Sequence, residues 1–213
     1  MPNIPAPDHA VELIAGALPL DFTNTLGGTH RAPTHEHLQG YADLVDFVRV
    51  AGALTPAETK RLLADAERRP AAATDVLRRG VALREAIWRV FDALATGRTP
   101  QSVDLALLNR EAADAFGHAR VVREGETYGW GWTDEPALER PLWPIARAAA
   151  ELLTDRHSLA RLRECASETC EWLFIDRSRN GSRRWCDMND CGNRAKVRRF
   201  RQRQRAPRSR ASR

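Results

Sequence analysis

The sequence has no apolar run of the roughly 18–20 residues that a membrane-spanning helix needs. Its first residues, Met-Pro-Asn-Ile-Pro-Ala-Pro-Asp, lack a basic stretch followed by an apolar one, so we see no secretory signal and expect a cytoplasmic protein. A glycine-rich phosphate loop, a His-Glu-x-x-His motif and a Gly-x-Ser-x-Gly elbow are also missing. We therefore assign no catalytic residue and do not expect an enzyme.

Lysine is scarce, occurring only at Lys60 and Lys196, so nearly all of the positive charge is arginine. The charge is unevenly distributed along the chain. Residues 161–213 carry 16 Arg and Lys against 6 Asp and Glu, a net charge of +10, whereas residues 1–160 have a net charge of −5. A GC-rich genome explains the preference for arginine but not its clustering. Because clustered cations attract phosphate, the C-terminal quarter is expected to bind nucleic acid.

The chain has four cysteines, spaced Cys165-x4-Cys170-x15-Cys186-x4-Cys191. Two close thiol pairs separated by a hairpin-sized spacer can bind one tetrahedral Zn²⁺. A cytoplasmic protein keeps its thiols reduced, which favours a metal over disulfides. Two disulfides and an iron–sulfur cluster are the alternatives. Since no cysteine is left over and no coordination position stays open, we predict one structural Zn²⁺.

Hydrophobic periodicity predicts a mainly α protein of the α+β type. Helices are expected at about 37–52, 55–68, 72–96, 99–116 and 137–154, with a β-hairpin at 118–132. In the cysteine segment, a strand at 171–176, a turn at 178–181 and a return strand at 183–186 precede a helix from about 191 to 205, capped by Asn189 or Asp190. This order predicts a treble-clef-like zinc finger, with a β-hairpin and a basic helix.

The predicted basic helix supplies most of the expected nucleic-acid contacts. Arginine offers bidentate hydrogen bonds to phosphate or to guanine, and Val197 and Phe200 form an apolar stripe that can dock onto the hairpin. The alternative is a solvated basic face that packs on the acidic N-terminal part or on another subunit. The residues assigned to nucleic-acid binding are Arg183, Arg184, Arg194, Lys196, Arg198, Arg199, Arg201, Arg203 and Arg205.

A second polar feature lies near the N-terminus, where Asp21, Asn24 and Thr25 interrupt an apolar motif. Buried polar groups need partners, so these residues either satisfy a structural turn or line a ligand pocket. The aromatic strand Tyr128, Trp130 and Trp132 could stack a planar ligand, although such a face is more often core or interface.

Two motifs resemble known families. Cys191-Gly192-Asn193-Arg194, preceded by three cysteines, resembles the CGNR zinc finger, and Leu20-Asp21-Phe22-Thr23-Asn24-Thr25 resembles a motif of the ABATE domain. Tyr41-Ala42-Asp43-Leu44 with Gly52-x-Leu54 is similar to that domain's next segment. The resemblance covers most of the chain and implies a bacterial regulator of transcription.

From the residues and this resemblance, three segments are predicted. Residues 1–157 form an ABATE-like helical domain that senses a ligand or oligomerises, residues 158–205 a CGNR-type zinc finger, and residues 206–213 a disordered arginine-rich tail. DNA is the expected partner, with a small-molecule effector, a homodimer and no membrane association. The alternatives are a zinc-stabilised protein–protein interaction module and an enzyme with an unrecognised N-terminal site.

Overall fold

The computed structural model describes residues 4–5 and 11–205; the predicted tail at 206–213 and the side chain of Arg205 lie outside the described part. Residues 11–160 form the body and residues 161–205 the finger. The α-helices are α1 (Leu18–Thr23), α2 (Tyr41–Val50), α3 (Pro56–Arg68), α4 (Pro70–Ala95), α5 (Ser102–His118), α6 (Leu142–Thr154), α7 (Arg156–Leu159) and α8 (Asn193–Arg205). The strands are β1 (Leu26–Thr29), β2 (Ala32–Glu36), β3 (Ala119–Glu124), β4 (Thr127–Trp132), β5 (Leu162–Glu164) and β6 (Leu173–Ile175).

The described strands pair as three antiparallel two-stranded sheets, β1 with β2, β3 with β4, and β5 with β6. Helices dominate the rest, which confirms the predicted fold class of a mainly helical protein with small β elements. Helix α3 shows why the local prediction worked. Thr55 caps it with its side chain accepting from the Glu58 amide, and the Glu58 carboxylate accepts from the Thr55 amide at 2.8 Å. This reciprocal pair starts the helix at Pro56.

The core is built around α4, whose buried face carries Val76, Leu83, Ile87 and Phe91. Helices α1, α2, α5 and α6 pack around this face. The same apolar cluster continues into the finger, where Leu173 and the rest of β6 are buried with body residues. Body and finger therefore share one continuous hydrophobic core.

The predicted β3–β4 hairpin is present and turns at Gly125, whose φ of 64° lies in the left-handed region. Tyr128, Trp130 and Trp132 share one face, as expected from their spacing of two. Trp132 packs near Trp143 of α6, with ring centroids 5.8 Å apart. The hairpin thus lies across the start of α6.

Several local expectations were wrong. Residues 20–23 of the Leu-Asp-Phe-x-Asn-Thr motif lie in α1, which ends at Thr23, and the β1–β2 hairpin follows. Helix α5 is capped at Gln101 instead of Thr99, and α6 begins only at Leu142. Pro141 stands immediately before α6, where a missing N–H costs least.

Candidate metal centre and nucleic-acid interface

The four cysteines come together in the finger. Their sulfur atoms all lie within 4.8 Å of one another. The Cys170 and Cys186 sulfurs are 3.8 Å apart, and those of Cys186 and Cys191 are 3.6 Å apart. Four sulfurs at about 2.3 Å from one ion in a tetrahedron would be separated by about 3.8 Å. The spacing therefore fits one tetrahedral Zn²⁺.

The same distances distinguish a metal site from disulfides. A disulfide brings two sulfurs to about 2.05 Å, whereas all four thiols are free and buried. The four sulfurs form a closed set of ligands, which is typical of a structural ion. The centre is thus one structural zinc site held by Cys165, Cys170, Cys186 and Cys191.

Short local elements position the ligands. Cys165 follows β5, and its amide donates to the Trp172 carbonyl at 2.9 Å, which brings it close to Cys170. Cys191 lies in a π-helical turn, Met188–Gly192, that leads directly into α8. The Asp187 carboxylate starts this turn by accepting from the Asn189 amide at 2.6 Å. The fourth ligand is therefore fixed one turn before the basic helix.

The four thiols shift one another's pKa values. Hydrogen bonds from Cys165, from the other two thiols and from Arg194 lower the pKa of Cys191, while contact with Cys165 and its neighbours raises the pKa values of Cys170 and Cys186. A dication is bound by thiolates, so metal binding displaces the protons of the four thiols. Arg194 donates to the Cys191 sulfur at 3.0 Å and offsets the remaining negative charge.

Two predictions for the finger are corrected. The expected hairpin between 171–176 and 183–186 is absent from the described finger, and β6 pairs instead with β5, with Leu162 opposite Ile175. Residues 183–186 form no strand, although Arg184 still accepts a hydrogen bond from the Ala166 amide. The helix cap expected at Asn189 or Asp190 is Asp187, because the cysteine turn is π-helical.

Asp21, Asn24 and Thr25 all make structural contacts, which is the first of the two alternatives that the sequence left open. The Asn24 side chain accepts from the Leu173 amide at 3.1 Å and donates to the Leu173 carbonyl at 3.0 Å. Asp21 accepts from the Ala15 amide, and Thr25 donates to the Phe22 carbonyl. All three residues are buried. Asn24 thus joins the body to β6 of the finger through two hydrogen bonds.

Further contacts hold the finger to the body. The indole N–H of Trp88 donates to the Glu171 carbonyl at 3.2 Å, and that of Trp172 donates to the Leu26 carbonyl at 2.8 Å. The Glu171 carboxylate accepts from the His30 amide at 2.7 Å. No sequence pattern predicted this interface, because its partners lie far apart in the chain. Residues 171–173 of the finger are consequently docked on the body.

Three of the predicted nucleic-acid residues are engaged inside the protein. Arg183 donates to the carbonyls of Ile14, Trp185 and Cys186, and its guanidinium lies 4.3 Å from the centre of the Phe174 ring. Arg194 pairs with Asp190 and contacts Cys191, and Arg198 pairs with Glu168 at 2.6 Å. Arg183 therefore uses its guanidinium for contacts within the protein.

Apart from Arg205, whose side chain lies outside the described part, the other predicted cations are exposed. Arg184 and Arg199 lie against the Trp185 ring, with guanidinium carbons 5.4 and 5.7 Å from its centre. Lys196, Arg201 and Arg203 are exposed on α8 and form no ion pair with any residue that the structure describes. These five exposed residues, which we call the basic surface, are Arg184, Lys196, Arg199, Arg201 and Arg203. From the helical spacing, Arg201 lies on a different face of α8 from Lys196, Arg199 and Arg203.

The apolar stripe on α8 does not dock as expected. Val197 is 48% exposed and Phe200 is 61% exposed. Helix α8 has its main contacts with the π-helical turn at its own start. It therefore extends from the zinc centre with most of its surface in solvent.

Comparison with known protein families agrees with this architecture. Residues 16–156 match the family model ABATE, described as "Putative stress-induced transcription regulator", and residues 161–204 match the model zf-CGNR, described as "CGNR zinc finger". The chain belongs to the ABATE family and carries a CGNR zinc finger at its C-terminal end. Both families are regulator and zinc-finger types, not enzyme families.

No curated protein matches the chain. Among the described helices, none is long and apolar enough to cross a membrane.

Proposed function

We propose that this protein regulates bacterial transcription in the cytoplasm by binding duplex DNA through its finger. One structural zinc ion fixes the start of α8, and the basic surface contacts phosphates. The observation that carries the proposal is the exposed group Lys196, Arg201 and Arg203, which has no carboxylate partner in the described chain. Cations that are not neutralised within the protein remain available to an anionic partner.

The attachment of the finger supports the same function. Asn24 and Trp88 of the body bind backbone carbonyls of the finger, and Trp172 of the finger binds a backbone carbonyl of the body. These contacts hold the finger in place, and α8 therefore extends from it in a defined direction. A fixed helix loses less conformational entropy when it binds a groove or a backbone. Symmetric operators are commonly read by dimers, so a homodimer remains part of the proposal.

The test is the salt dependence of DNA affinity for the zinc-loaded chain, measured by fluorescence anisotropy with a random-sequence duplex. Each lost phosphate contact should lower the slope of log affinity against log salt by about 0.9. We expect Arg201→Gln and Arg203→Gln each to reduce the slope by up to this amount. The control is Arg78→Gln, which removes an exposed arginine of α4 that pairs with Asp75. Affinity that does not respond to salt or to either finger variant would overturn the proposal.

One observation favours a second candidate, protein–protein contact through α8. Val197 and Phe200 are exposed apolar side chains on the same helix as the cations, with Met188 exposed nearby. Exposed apolar groups on one face are typical of a protein interface. This candidate predicts that the zinc-loaded chain fails to shift duplex DNA and that Phe200→Ser abolishes capture of a partner protein.

A further inference from the structure

An open cavity of about 900 Å³ lies where the β3–β4 hairpin crosses the starts of α3 and α6. It is separate from the zinc centre and from α8. Its wall combines two indoles with several hydrogen-bond donors. Its lining includes Glu58, Trp130, Trp132, Thr133, Arg140 and Arg147.

Three buried donors on this wall have no hydrogen-bond partner among the described residues. They are the Thr133 hydroxyl, Nη1 of Arg140 and Nε of Arg147. The Arg140 side chain is only 7% exposed, and it uses Nη2 alone for the Glu58 carboxylate at 2.9 Å and the Ala53 carbonyl at 3.3 Å. A buried donor without a partner is unfavourable, so three of them on one wall indicate an acceptor that the protein itself does not supply.

The charge of Arg140 is incompletely compensated. Burial lowers the pKa of its guanidinium, and the nearby Arg61 acts in the same direction, although the Glu58 carboxylate opposes both. Arg147 pairs through Nη1 with Glu151, which leaves Nε unused. Two guanidinium groups with spare N–H donors match the geometry of a carboxylate.

Indole rings lie against the guanidinium groups of Arg140 and Arg147. The guanidinium carbon of Arg147 lies 5.3 Å from the Trp130 ring centre and 5.7 Å from that of Trp132, and that of Arg140 lies 5.1 Å from Trp132. Trp130 is 49% exposed. A half-exposed indole can turn outward, admit a ligand and stack on a flat ring.

From this wall we propose that the cavity binds a small aromatic carboxylate. Its carboxylate accepts hydrogen bonds from Thr133, Arg140 and Arg147, and its ring packs against Trp130 after that indole has turned outward. The site contains none of Asp21, Asn24 and Thr25, so it lies elsewhere than the pocket that the sequence suggested. The proposal does not rest on DNA binding.

The experiment is isothermal titration calorimetry of the zinc-loaded full chain, without DNA, against benzoate, salicylate and indole-3-carboxylate at up to about 1 mM. Each acid is paired with its amide, which has the same ring and no charge. We expect at least one acid to bind at one site per chain, with its amide about tenfold weaker or more. Binding should also change tryptophan fluorescence, because Trp130 moves.

Two variants locate the site. Thr133→Val keeps the side-chain shape and should weaken binding by a few fold, whereas Arg147→Met should weaken it about tenfold or more. Arg78→Met, which removes an arginine paired on the surface of α4, is the matched control and should bind normally. If Arg147→Met does not fold, Thr133→Val and the amide comparison decide the question. Binding of none of the three acids, equal binding of acid and amide, or unchanged binding by Thr133→Val and Arg147→Met would overturn the proposal. Because no DNA is present, such a failure leaves the proposed DNA binding untouched.

Discussion

Arginines in the body and in the finger differ in their partners. In the body, Arg84 is 2% exposed and binds the Glu36 carboxylate through two hydrogen bonds of 2.7 Å. On α8, Lys196, Arg201 and Arg203 are exposed and lack an ion pair within the described chain. A cationic side chain therefore stabilises the fold in the body, whereas those on α8 remain available to an anion outside the protein. The absence of an ion pair leaves these three α8 side chains available to an anionic partner.

The two regions also differ in what makes them stable. The body contains helices of up to 26 residues that bury large apolar faces. The finger strands β5 and β6 have three residues each, too few for a stable sheet without support. Its order must come from the zinc ion and from the contacts with the body. The following predictions test this difference, in order of decreasing effect.

The largest effect is expected from Cys170→Ser. Structural zinc binding contributes about 10–16 kcal/mol in zinc-finger peptides, so loss of one thiolate should release the ion and unfold the finger. Because β6 lies in the shared core, the melting temperature of the body should fall as well. Metal analysis and thermal unfolding measure both effects. Thr169→Ala, an exposed neighbour, is the control; a full zinc complement in Cys170→Ser would contradict the account.

Next comes the buried pair of the body. Arg84→Met should destabilise the protein by about 3–5 kcal/mol, because it leaves the Glu36 carboxylate buried without its cation. Chemical denaturation gives this free energy. The double variant Arg84→Met with Glu36→Leu should recover most of the loss. If the single variant is as stable as the native protein, the pair does not hold the body together.

A smaller loss is expected from Asn24→Ala at the junction of the two regions. The change leaves the amide and carbonyl of Leu173 unpaired, at a cost of about 2–4 kcal/mol in total. Hydrogen exchange at Leu173 should accelerate while exchange in α4 changes less. Asn180→Ala, in the exposed turn of the finger, provides the control. Unchanged protection of the Leu173 amide from hydrogen exchange would argue against a stabilising role of the Asn24 hydrogen bonds.

The last effect concerns pH and is similar in size to that of Asn24→Ala. Burial raises the pKa of Asp21 to about 6, above its ordinary value of 3.8, although hydrogen bonds from backbone amides and the charge of Arg183 oppose the shift. The folded state therefore binds a proton more tightly than the unfolded state. The contribution of Asp21 to stability should be complete below about pH 4 and fall by about 3 kcal/mol as the pH rises to about 6.

The measurement compares the unfolding free energies of the native protein and Asp21→Asn across this range, so that zinc loss at low pH cancels in the difference. The variant should gain stability relative to the native protein as the pH rises. A constant difference from pH 4 to pH 7 would show that Asp21 does not titrate in this way.

Local features of the molecule could be predicted from the sequence. The zinc ligands follow from two x4 spacings, and α3 follows from Thr55, Pro56 and Glu58, which lie within one helical turn. The β3–β4 hairpin follows from its alternation around Gly125. In each case the interacting residues are neighbours in the chain, so the pattern itself carries the information.

Long-range contacts could not be predicted in this way. Asn24 and Leu173 are separated by 149 positions, and nothing near Asn24 indicates a strand as its partner. Arg183 resembles the other arginines in the sequence, yet only the folded chain brings it to the Ile14 carbonyl. The pairing of β6 with β5 also depends on how the finger closes around its metal.

We propose that zinc positions the basic helix α8 for DNA binding. The most direct test measures the duplex DNA affinity of the full chain at one salt concentration before and after removal of zinc with a chelator, and again after zinc is restored. We predict that removal of zinc weakens DNA binding at least about tenfold. In the zinc-free protein, Arg201→Gln should have no further effect on the affinity. Restored zinc should return both the affinity and the effect of Arg201→Gln. Equal affinity with and without zinc would contradict the claim.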